Sequence, residues 1–416
     1  MKLKRFLSCF LIFACLFSLS VQADRIDEDV NETVNGKIVT EYYTDDILED
    51  SSVESVATVP VTTPPEVDAK SVILMEASTG KVLHEKDSDV VLSPASITKI
   101  MTMLLVVEAL DNGKISMNDS VPTSEHAASM GGSQIWLEAG ETMTVENLLK
   151  AVAVGSANDA SVALAEFIAG SEEAFVAQMN NRAKELGMTN TNFVNACGLD
   201  AEGHVTSARD VAIMSKELIS HNTIKQFTTI WMDSLRGGET QLVNTNKLVR
   251  YYLGATGLKT GTTDEAGFCL SATAKRDGME LIAVVMGGAS SDARFNGAKA
   301  LLNYGFANWK IKTPEFDESS LQPIPVIKGK SETVNIEMEP IKSELLNSSG
   351  AEEIAVQADI SESVEAPVEK NEVVGTVKVM LGDKVLNEYK VYTTEKVEKI
   401  NVSFLFSKLI QSLFAT

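Results

Sequence analysis

The segment Pro94-Ala-Ser-Ile-Thr-Lys99 leads into apolar residues at helical spacing: Ile100, Met101, Leu104 and Leu105. The proline followed by this spacing predicts a helix that begins near Ser96. Residues three positions apart lie on the same side of a helix, so the Lys99 amine can reach the Ser96 hydroxyl. A serine hydroxyl is a weak nucleophile at neutral pH and needs an adjacent base. The segment therefore predicts Ser96 as a nucleophile and Lys99 as its base.

Two further motifs follow in the chain, Ser156-Ala-Asn158 and Lys259-Thr-Gly261, the second just before a predicted strand. Either is common by chance, but the three in this order match the pattern of serine enzymes that recognise penicillin. We expect Lys259 to act as a second cation that favours the neutral form of Lys99. Ser156 would relay a proton to the leaving amine and Asn158 would hold the substrate amide. Lys259 and Thr260 would bind the substrate's terminal carboxylate.

Apolar strands are predicted at both ends of a largely helical stretch. Ser71–Met75 and Lys81–Glu85 form one predicted strand pair, and Phe268–Ala274 and Leu281–Met286 form another. The segment between them is mainly helical to about Ile219. Strands at both ends of a helical middle predict one α/β unit whose single sheet combines distant parts of the chain.

The chain resembles the S11 family of serine-type D-alanyl-D-alanine carboxypeptidases, the low-molecular-mass penicillin-binding proteins. The resemblance rests on four stretches, Pro94–Lys99, Val154–Asp159, His204–Asp210 and Gly257–Phe268. It implies an α/β (α+β) catalytic domain of the penicilloyl-serine transferase/β-lactamase-like type over residues 67–314. A small all-β domain would follow over residues 315–394, and an amphipathic membrane-anchoring helix over residues 395–416.

The resemblance also assigns residues that the motifs alone do not. Arg294 matches an arginine that helps to bind the substrate carboxylate, and Gly261 and Thr262 belong to the same set of substrate-binding residues. The main-chain N–H groups of Ser96 and Thr262 would form the oxyanion hole. Two departures from some relatives bear on substrate preference: Thr262 replaces a histidine, and Thr245 replaces an arginine.

The implied reaction removes the terminal D-alanine from a peptidoglycan stem peptide through an acyl-enzyme on Ser96. β-Lactams would mimic the substrate dipeptide and acylate the same serine. No metal or organic cofactor is needed. His204 and Asp210 are interpreted as structural, and Trp136 as part of the core or the cleft wall.

Three alternatives remain open from the sequence. A D,D-endopeptidase that cuts cross-links would use the same motifs. A class A-like β-lactamase would need a deacylating glutamate, but residues 187–200 contain none and Glu202 lies just beyond them. A non-catalytic wall-binding protein is the least favoured, because the motif residues Ser96, Lys99 and Lys259 are intact.

The composition narrows the function classes further. The 416 residues allow two or three domains, and the formal net charge of -22 disfavours a nucleic-acid partner. The four Cys and four His residues form no C-x-x-C or H-E-x-x-H pattern, which disfavours a zinc site. Cys197 and Cys269 could pair in an exported protein, but two free buried thiols are the favoured interpretation.

The two ends of the chain indicate export and membrane attachment. Basic residues and an apolar run within residues 1–23 are typical of a secretory signal peptide. Residues 24–66 read as a disordered acidic leader, with eleven Asp and Glu between Asp24 and Pro65. At the other end, Val402 to Phe414 gathers apolar residues on one helical face, which favours a helix lying in a membrane interface over one docked on the protein. We therefore expect a protein on the outer face of the cytoplasmic membrane.

Overall fold

A computed structural model describes residues 32–34, 37–39, 63–349 and 353–414. The predicted signal peptide lies outside the described residues, and so does most of the predicted acidic leader. Within that leader, β1 (Glu32–Val34) pairs antiparallel with β2 (Lys37–Val39). The predictions for residues 1–62 otherwise stay predictions.

The N-terminal part of the described chain combines strands with a large helical layer. Its strands are β3 (Ala69–Glu76), β4 (Val82–Lys86), β5 (Ser120–Pro122), β6 (Thr142–Thr144), β7 (Met232–Leu235), β8 (Thr240–Val243), β9 (Ala255–Thr263), β10 (Gly267–Arg276), β11 (Met279–Gly288) and β12 (Trp309–Lys312). Its helices are α1 (Lys99–Asp111), α2 (Glu125–Ala128), α3 (Val145–Gly155), α4 (Asn158–Ala169), α5 (Glu172–Glu185), α6 (Ala208–Ser220), α7 (Asn222–Thr228), α8 (Leu248–Tyr251) and α9 (Ser291–Asn308).

A five-stranded antiparallel sheet with the order β4-β3-β11-β10-β9 forms the framework. Strand β3 from the start of the unit pairs with β11 from its end, with Val72 opposite Val285. This pairing confirms the prediction of a single sheet built from distant segments. The tight β10–β11 turn uses left-handed backbone at Asp277 (φ 48°) and Gly278 (φ 82°), as a two-residue hairpin turn requires.

The two faces of the sheet are covered by different layers. Along β3, Val72 and Leu74 join the cluster formed with α9, whereas Ile73 and Met75 join the larger helical core. This alternation follows from the two-residue period of a strand. Helices of this core begin at residues that can cap them with a side chain. The Thr144 hydroxyl, for example, accepts from the Asn147 N–H at the start of α3.

The C-terminal part is an all-β domain followed by a helix. Its elements are β13 (Ile324–Ile327), β14 (Thr333–Val334), β15 (Ile336–Met338), β16 (Glu344–Asn347), β17 (Ile354–Ile360), β18 (Val364–Glu365), β19 (Val373–Leu381), β20 (Lys384–Thr393) and α10 (Val402–Phe414). A four-stranded sheet (β15-β20-β19-β17) and a three-stranded sheet (β14-β13-β18) enclose one apolar cluster. Strand β16 pairs with β12, so this ribbon joins the end of the first unit to the second. The predicted all-β domain is confirmed.

Helix α10 carries exposed apolar side chains. Leu405, Phe406 and Leu409 are 55%, 62% and 59% exposed, so this face is not packed against the described protein. No helix of the described chain has the length and apolar character that crossing a bilayer requires.

Cys197 and Cys269 are both free and buried. Burial raises the pKa of each thiol. Both side chains therefore remain neutral and behave as small apolar groups.

Candidate active site

The proposed nucleophile lies on a single tight turn. Residues Ala95–Thr98 form a 3-10 helix, and Lys99 is the first residue of α1. In a 3-10 turn the side chains at i and i+3 eclipse one another, and the Lys99 Nζ atom lies 3.0 Å from the Ser96 Oγ atom. The sequence predicted this contact but not the 3-10 geometry. Ala95 has a left-handed backbone (φ 47°), an unusual conformation immediately before the serine.

The Lys99 amine is fully buried and has three hydrogen-bond acceptors. Besides Ser96, it donates to the Asn158 Oδ1 atom at 2.6 Å and to the Cys197 carbonyl at 2.6 Å. Burial lowers the pKa of Lys99 to about 8, against the opposing charge of Asp159. At pH 7 roughly a tenth of such an amine is neutral, which is enough to act as a general base.

The Ser156-Ala-Asn158 motif forms the junction between α3 and α4. Ser156 ends α3 in a left-handed conformation (φ 60°), and its side chain is buried. Asn158 begins α4, where its amide links two elements. Its Oδ1 atom accepts from Lys99, and its Nδ2 atom donates to the Gly131 carbonyl at 2.6 Å.

The Lys259-Thr-Gly261 motif precedes the predicted strand, which is β10, but it also lies inside a strand of its own, β9, that was not predicted. The run Ala255–Thr263 is rich in Thr and Gly and lacks apolar alternation, so its strand character comes from pairing with β10. Lys259 is almost fully buried and its Nζ atom donates to the Thr260 carbonyl at 3.0 Å. Burial, reinforced by the charges of Lys99 and Arg294, places the pKa of Lys259 well below its usual range. The charge of Lys99 thus lowers the pKa of Lys259, whereas the expected influence ran from a charged Lys259 to Lys99.

Two glycines allow backbone segments to approach the nucleophile turn. A Cβ at Gly261 would lie 3.1 Å from the Ser96 backbone nitrogen. A Cβ at Gly198, where φ is 91°, would lie 1.9 Å from the Ala95 carbonyl oxygen. The turn is therefore held between β9 and the segment before α6. Gly198 does not stand out in the sequence, because the close approach of a backbone leaves no local pattern.

Arg294 belongs to α9, and its guanidinium contacts Thr262 near the end of β9. Its Nη1 atom donates to the Thr262 hydroxyl at 2.7 Å and to the Gly261 carbonyl at 3.3 Å. Its guanidinium lies over the rings of Phe268 and Phe295, at 5.3 and 5.0 Å from their centroids. Earlier on the same strand, the Thr260 hydroxyl donates to the Thr245 hydroxyl at 2.7 Å. The structure thus brings the predicted carboxylate-binding residues together with Thr245.

Trp136 is not a core residue, since 45% of it is exposed. Asp210 is structural, as interpreted: its carboxylate accepts from the Asn190 N–H at 2.8 Å and from the Thr191 hydroxyl at 2.7 Å.

The segment of residues 187–200 approaches Lys99 with the Cys197 carbonyl rather than with a carboxylate. Glu202, just beyond it, is exposed. This arrangement weighs against the class A-like β-lactamase alternative.

Comparisons with known proteins agree with this geometry. Residues 57–290 match the family model of D-alanyl-D-alanine carboxypeptidases of peptidase family S11. The chain belongs to this family. Residues 312–399 match the C-terminal domain of penicillin-binding protein 5.

Similar S11 proteins come from several bacteria. The chain is 45% identical over 343 residues to the D-alanyl-D-alanine carboxypeptidase DacF of Bacillus subtilis, covering 81% of this chain and 88% of that protein. It is 36% identical to DacC of Escherichia coli, covering 80% and 86%. Penicillin-binding protein 5 of Haemophilus influenzae superposes with a TM-score of 0.68 at 29% identity, covering 82% of this chain and 100% of that one.

A similar solved structure is a complex with a β-lactam. Penicillin-binding protein D2 of Listeria monocytogenes, in its cefotaxime-bound form, is 33% identical with a TM-score of 0.52. The match covers 59% of this chain and 99% of that one. The family and fold predicted from the sequence are confirmed, and a serine carboxypeptidase role is supported.

Proposed function

We propose that this protein removes the terminal D-alanine from peptidoglycan stem peptides through an acyl-enzyme on Ser96, and that β-lactams acylate the same serine. The observation that carries this proposal is the 3.0 Å contact between Lys99 Nζ and Ser96 Oγ, made by an amine whose pKa lies at about 8. A buried amine in this position is a base for the hydroxyl that it contacts.

Acylation would begin when neutral Lys99 takes the proton of the Ser96 hydroxyl. The Oγ atom then attacks the carbonyl of the penultimate D-alanine, and the N–H groups of Ser96 and Thr262 stabilise the oxyanion. The C–N bond breaks as Ser156 passes its proton to the nitrogen and takes the proton held by Lys99, and D-alanine leaves. A water molecule then attacks the ester as neutral Lys99 takes its proton, and Lys99 returns that proton to the Ser96 Oγ atom as the C–O bond breaks and the shortened stem leaves.

Strand β9 supports the binding half of the proposal. In the described structure it pairs only with β10, so its other edge is available to an extended peptide, and Gly261 on this strand lies against the nucleophile turn. Asn158 would hold the peptide amide. Lys259, Thr260 and Thr262 would bind the terminal carboxylate together with Arg294, which contacts Thr262 directly.

We also propose an exported protein held at the outer face of the cytoplasmic membrane, with its active site toward the wall. The basic and apolar N-terminal sequence supports export. The exposed apolar side chains of α10 support attachment to a membrane surface.

The test is to incubate the purified protein with a stem pentapeptide and with a cross-linked stem dimer, and to follow both by mass. We expect loss of one D-alanine from the pentapeptide. Preferential cleavage of the dimer would instead favour the endopeptidase alternative. Rapid turnover of penicillin without a lasting acyl-enzyme would favour the β-lactamase alternative.

A further inference from the structure

The segment of residues 131–141, here called the cleft-edge segment, determines the surroundings of Asn158. The Gly131 carbonyl accepts from the Asn158 Nδ2 atom, and the Ser133 carbonyl accepts from the Asn158 backbone N–H, both at 2.6 Å. Gly132 packs so closely that a Cβ there would lie 2.8 Å from Asn158 Nδ2. The position of the Asn158 amide therefore depends on the position of this segment.

A buried carboxylate holds the segment from the side of α4. Asp159 is completely buried, and its two oxygens accept from the Ile135 N–H at 3.1 and 3.0 Å. One of them also accepts from the Leu137 N–H at 3.0 Å. Ile135 and Leu137 are themselves buried, so the carboxylate fixes the backbone on both sides of Trp136.

An arginine from the turn between β7 and β8 holds the same segment through its carbonyl groups. The Arg236 Nη1 atom donates to the Ile135 carbonyl at 2.8 Å, and its Nη2 atom donates to the Trp136 carbonyl at 3.4 Å. The guanidinium also binds Glu141 through both carboxylate oxygens, at 2.8 and 3.0 Å. Such a bidentate ion pair fixes the orientation of the guanidinium as well as its distance from the carboxylate.

The backbone is unusual on both sides of this contact. Trp136 (φ 56°) and Arg236 (φ 49°) are both left-handed, which is costly for residues with a Cβ. Trp136 is 45% exposed, so core packing does not account for its conformation. Such a conformation persists where the surroundings impose it, and here Asp159 and Arg236 supply the hydrogen bonds that do so.

We propose that Arg236 and Asp159 are positioning residues that act on the reaction through Asn158. Asp159 binds the N–H groups of the cleft-edge segment and Arg236 binds its carbonyls, which places the Gly131 and Ser133 carbonyls where Asn158 needs them. If the segment shifts, Asn158 Nδ2 loses its acceptor and Asn158 Oδ1 is no longer held against Lys99. This inference deepens the proposed function and rests on it for the role of Asn158.

The test is a double-mutant cycle on the rate of acylation by a fluorescent penicillin. We expect Arg236→Ala to lower that rate by about tenfold to a hundredfold, the size of effect that a small misplacement of a catalytic group produces. Because Arg236 acts through Asn158, adding Arg236→Ala to Asn158→Ala should lower the rate little further. Arg236→Lys keeps the charge but not the bidentate contact with Glu141. Its acylation rate should lie between those of the wild type and Arg236→Ala.

Arg182→Ala is the matched control. Arg182 is 22% exposed, against 24% for Arg236, and it also binds carboxylates, but those are Glu108, Glu185 and Glu217. This control should lower the thermal midpoint similarly while leaving the acylation rate of the folded enzyme unchanged. If Arg236→Ala does not fold, Asp159→Asn and Arg236→Lys carry the same cycle with Asn158→Ala.

The possible failures are distinguishable. A wild-type enzyme that penicillin does not acylate would overturn the proposed function and this inference together. If the wild type is acylated, the inference alone is overturned by either of two results. One is an Arg236→Ala rate equal to that of Arg182→Ala, and the other is fully additive losses in the cycle.

Discussion

The Nε2 atom of His204 lies 2.7 Å from the Thr98 hydroxyl, which joins a buried histidine to the residue between the proposed nucleophile and its base. Thr98 donates its own proton to the Ala95 carbonyl at 2.8 Å, so it accepts from His204. The Val194 N–H donates to the His204 Nδ1 atom at 2.8 Å. A neutral imidazole thus makes both hydrogen bonds, donating from Nε2 and accepting at Nδ1. A second ring proton, on Nδ1, would point at the Val194 N–H.

This arrangement predicts a loss of stability in acid. Burial lowers the pKa of His204 to about 4, against the opposing charge of Asp200. A pKa that is lower in the folded than in the unfolded state gives stability that is complete above pH 6.5 and is lost as the pH falls toward 4. The loss amounts to about 3 kcal/mol. We expect His204→Gln, whose amide can replace both hydrogen bonds, to flatten the pH dependence of the thermal midpoint in this window.

His126→Gln is the control for this prediction. Glu172, hydrogen-bonded to His126, raises the pKa of this exposed histidine, so its contribution has the opposite sign. That contribution is present at low pH and fades as the pH rises through the raised pKa. A His204→Gln variant with the same acid sensitivity as the wild type would show that other groups dominate the transition.

The nucleophile and its base give two linked predictions. Ser96→Ala should abolish covalent labelling by a fluorescent penicillin and leave the fold intact, because a small side chain replaces a half-buried one. Lys99→Ala should lower the acylation rate by at least about 10²-fold. Because the base must be neutral, the wild-type rate should rise with pH up to about 8 and then level off. Stoichiometric labelling of Ser96→Ala would rule out this serine.

Carboxylate recognition can be separated from structure at Arg294. Arg294→Ala should reduce turnover of stems with a free terminal carboxylate more than hydrolysis of an uncharged ester, because only the former gains charge-assisted hydrogen bonds. Arg294 also lies over two aromatic rings, so Arg294→Lys is needed to retain charge while losing the planar contact. Equal losses on both substrates would assign the arginine a structural role.

Close backbone approach predicts a sharp difference between two glycines in one segment. Gly198→Ala would bring a Cβ to 1.9 Å from the Ala95 carbonyl, and should cost about 3 kcal/mol or more and prevent acylation. Gly187 also has a positive φ, of 76°, but has nothing within 4 Å of its would-be Cβ. Gly187→Ala should therefore cost only about 1–2 kcal/mol of backbone strain. Chemical denaturation and penicillin labelling of the two variants measure the difference.

The features that the sequence predicted are those with a short repeating pattern. The helical spacing after Lys99 and the apolar run around Ile73 predicted elements that the fold contains. The features that it missed depend on contacts with distant backbone. Strand β9 is defined by pairing with β10, Gly198 by its approach to Ala95, and Arg236 by its hydrogen bonds to carbonyls about 100 residues away. Backbone groups are the same in every residue, so such contacts leave no pattern in the sequence.

The contacts just before α10 show which C-terminal residues can be deleted without disturbing the β-domain. The β-domain extends beyond its last strand: Val397 pairs with Val368, Lys399 bridges Gly329, and the Ile400 N–H donates to the Lys328 carbonyl. Removal of residues from Lys399 onward would break these contacts, whereas removal from Val402 onward spares them. The shorter deletion therefore tests the helix alone.

The exposed apolar face of α10 predicts how that deletion behaves. At roughly 25 cal/mol per Å² of apolar area, burying this face in lipid is worth several kcal/mol, enough for lasting but reversible attachment. Deletion from Val402 should convert an enzyme that sediments with anionic vesicles into one that stays in solution, with unchanged activity on a small peptide. Phe406→Asp with Leu409→Asp should do the same. Gln411→Asp with Ser412→Asp adds the same charge outside the apolar face, with Gln411 opposite it and Ser412 at its flank, and should weaken sedimentation less. If both double variants released the enzyme equally, charge rather than the apolar face would control attachment.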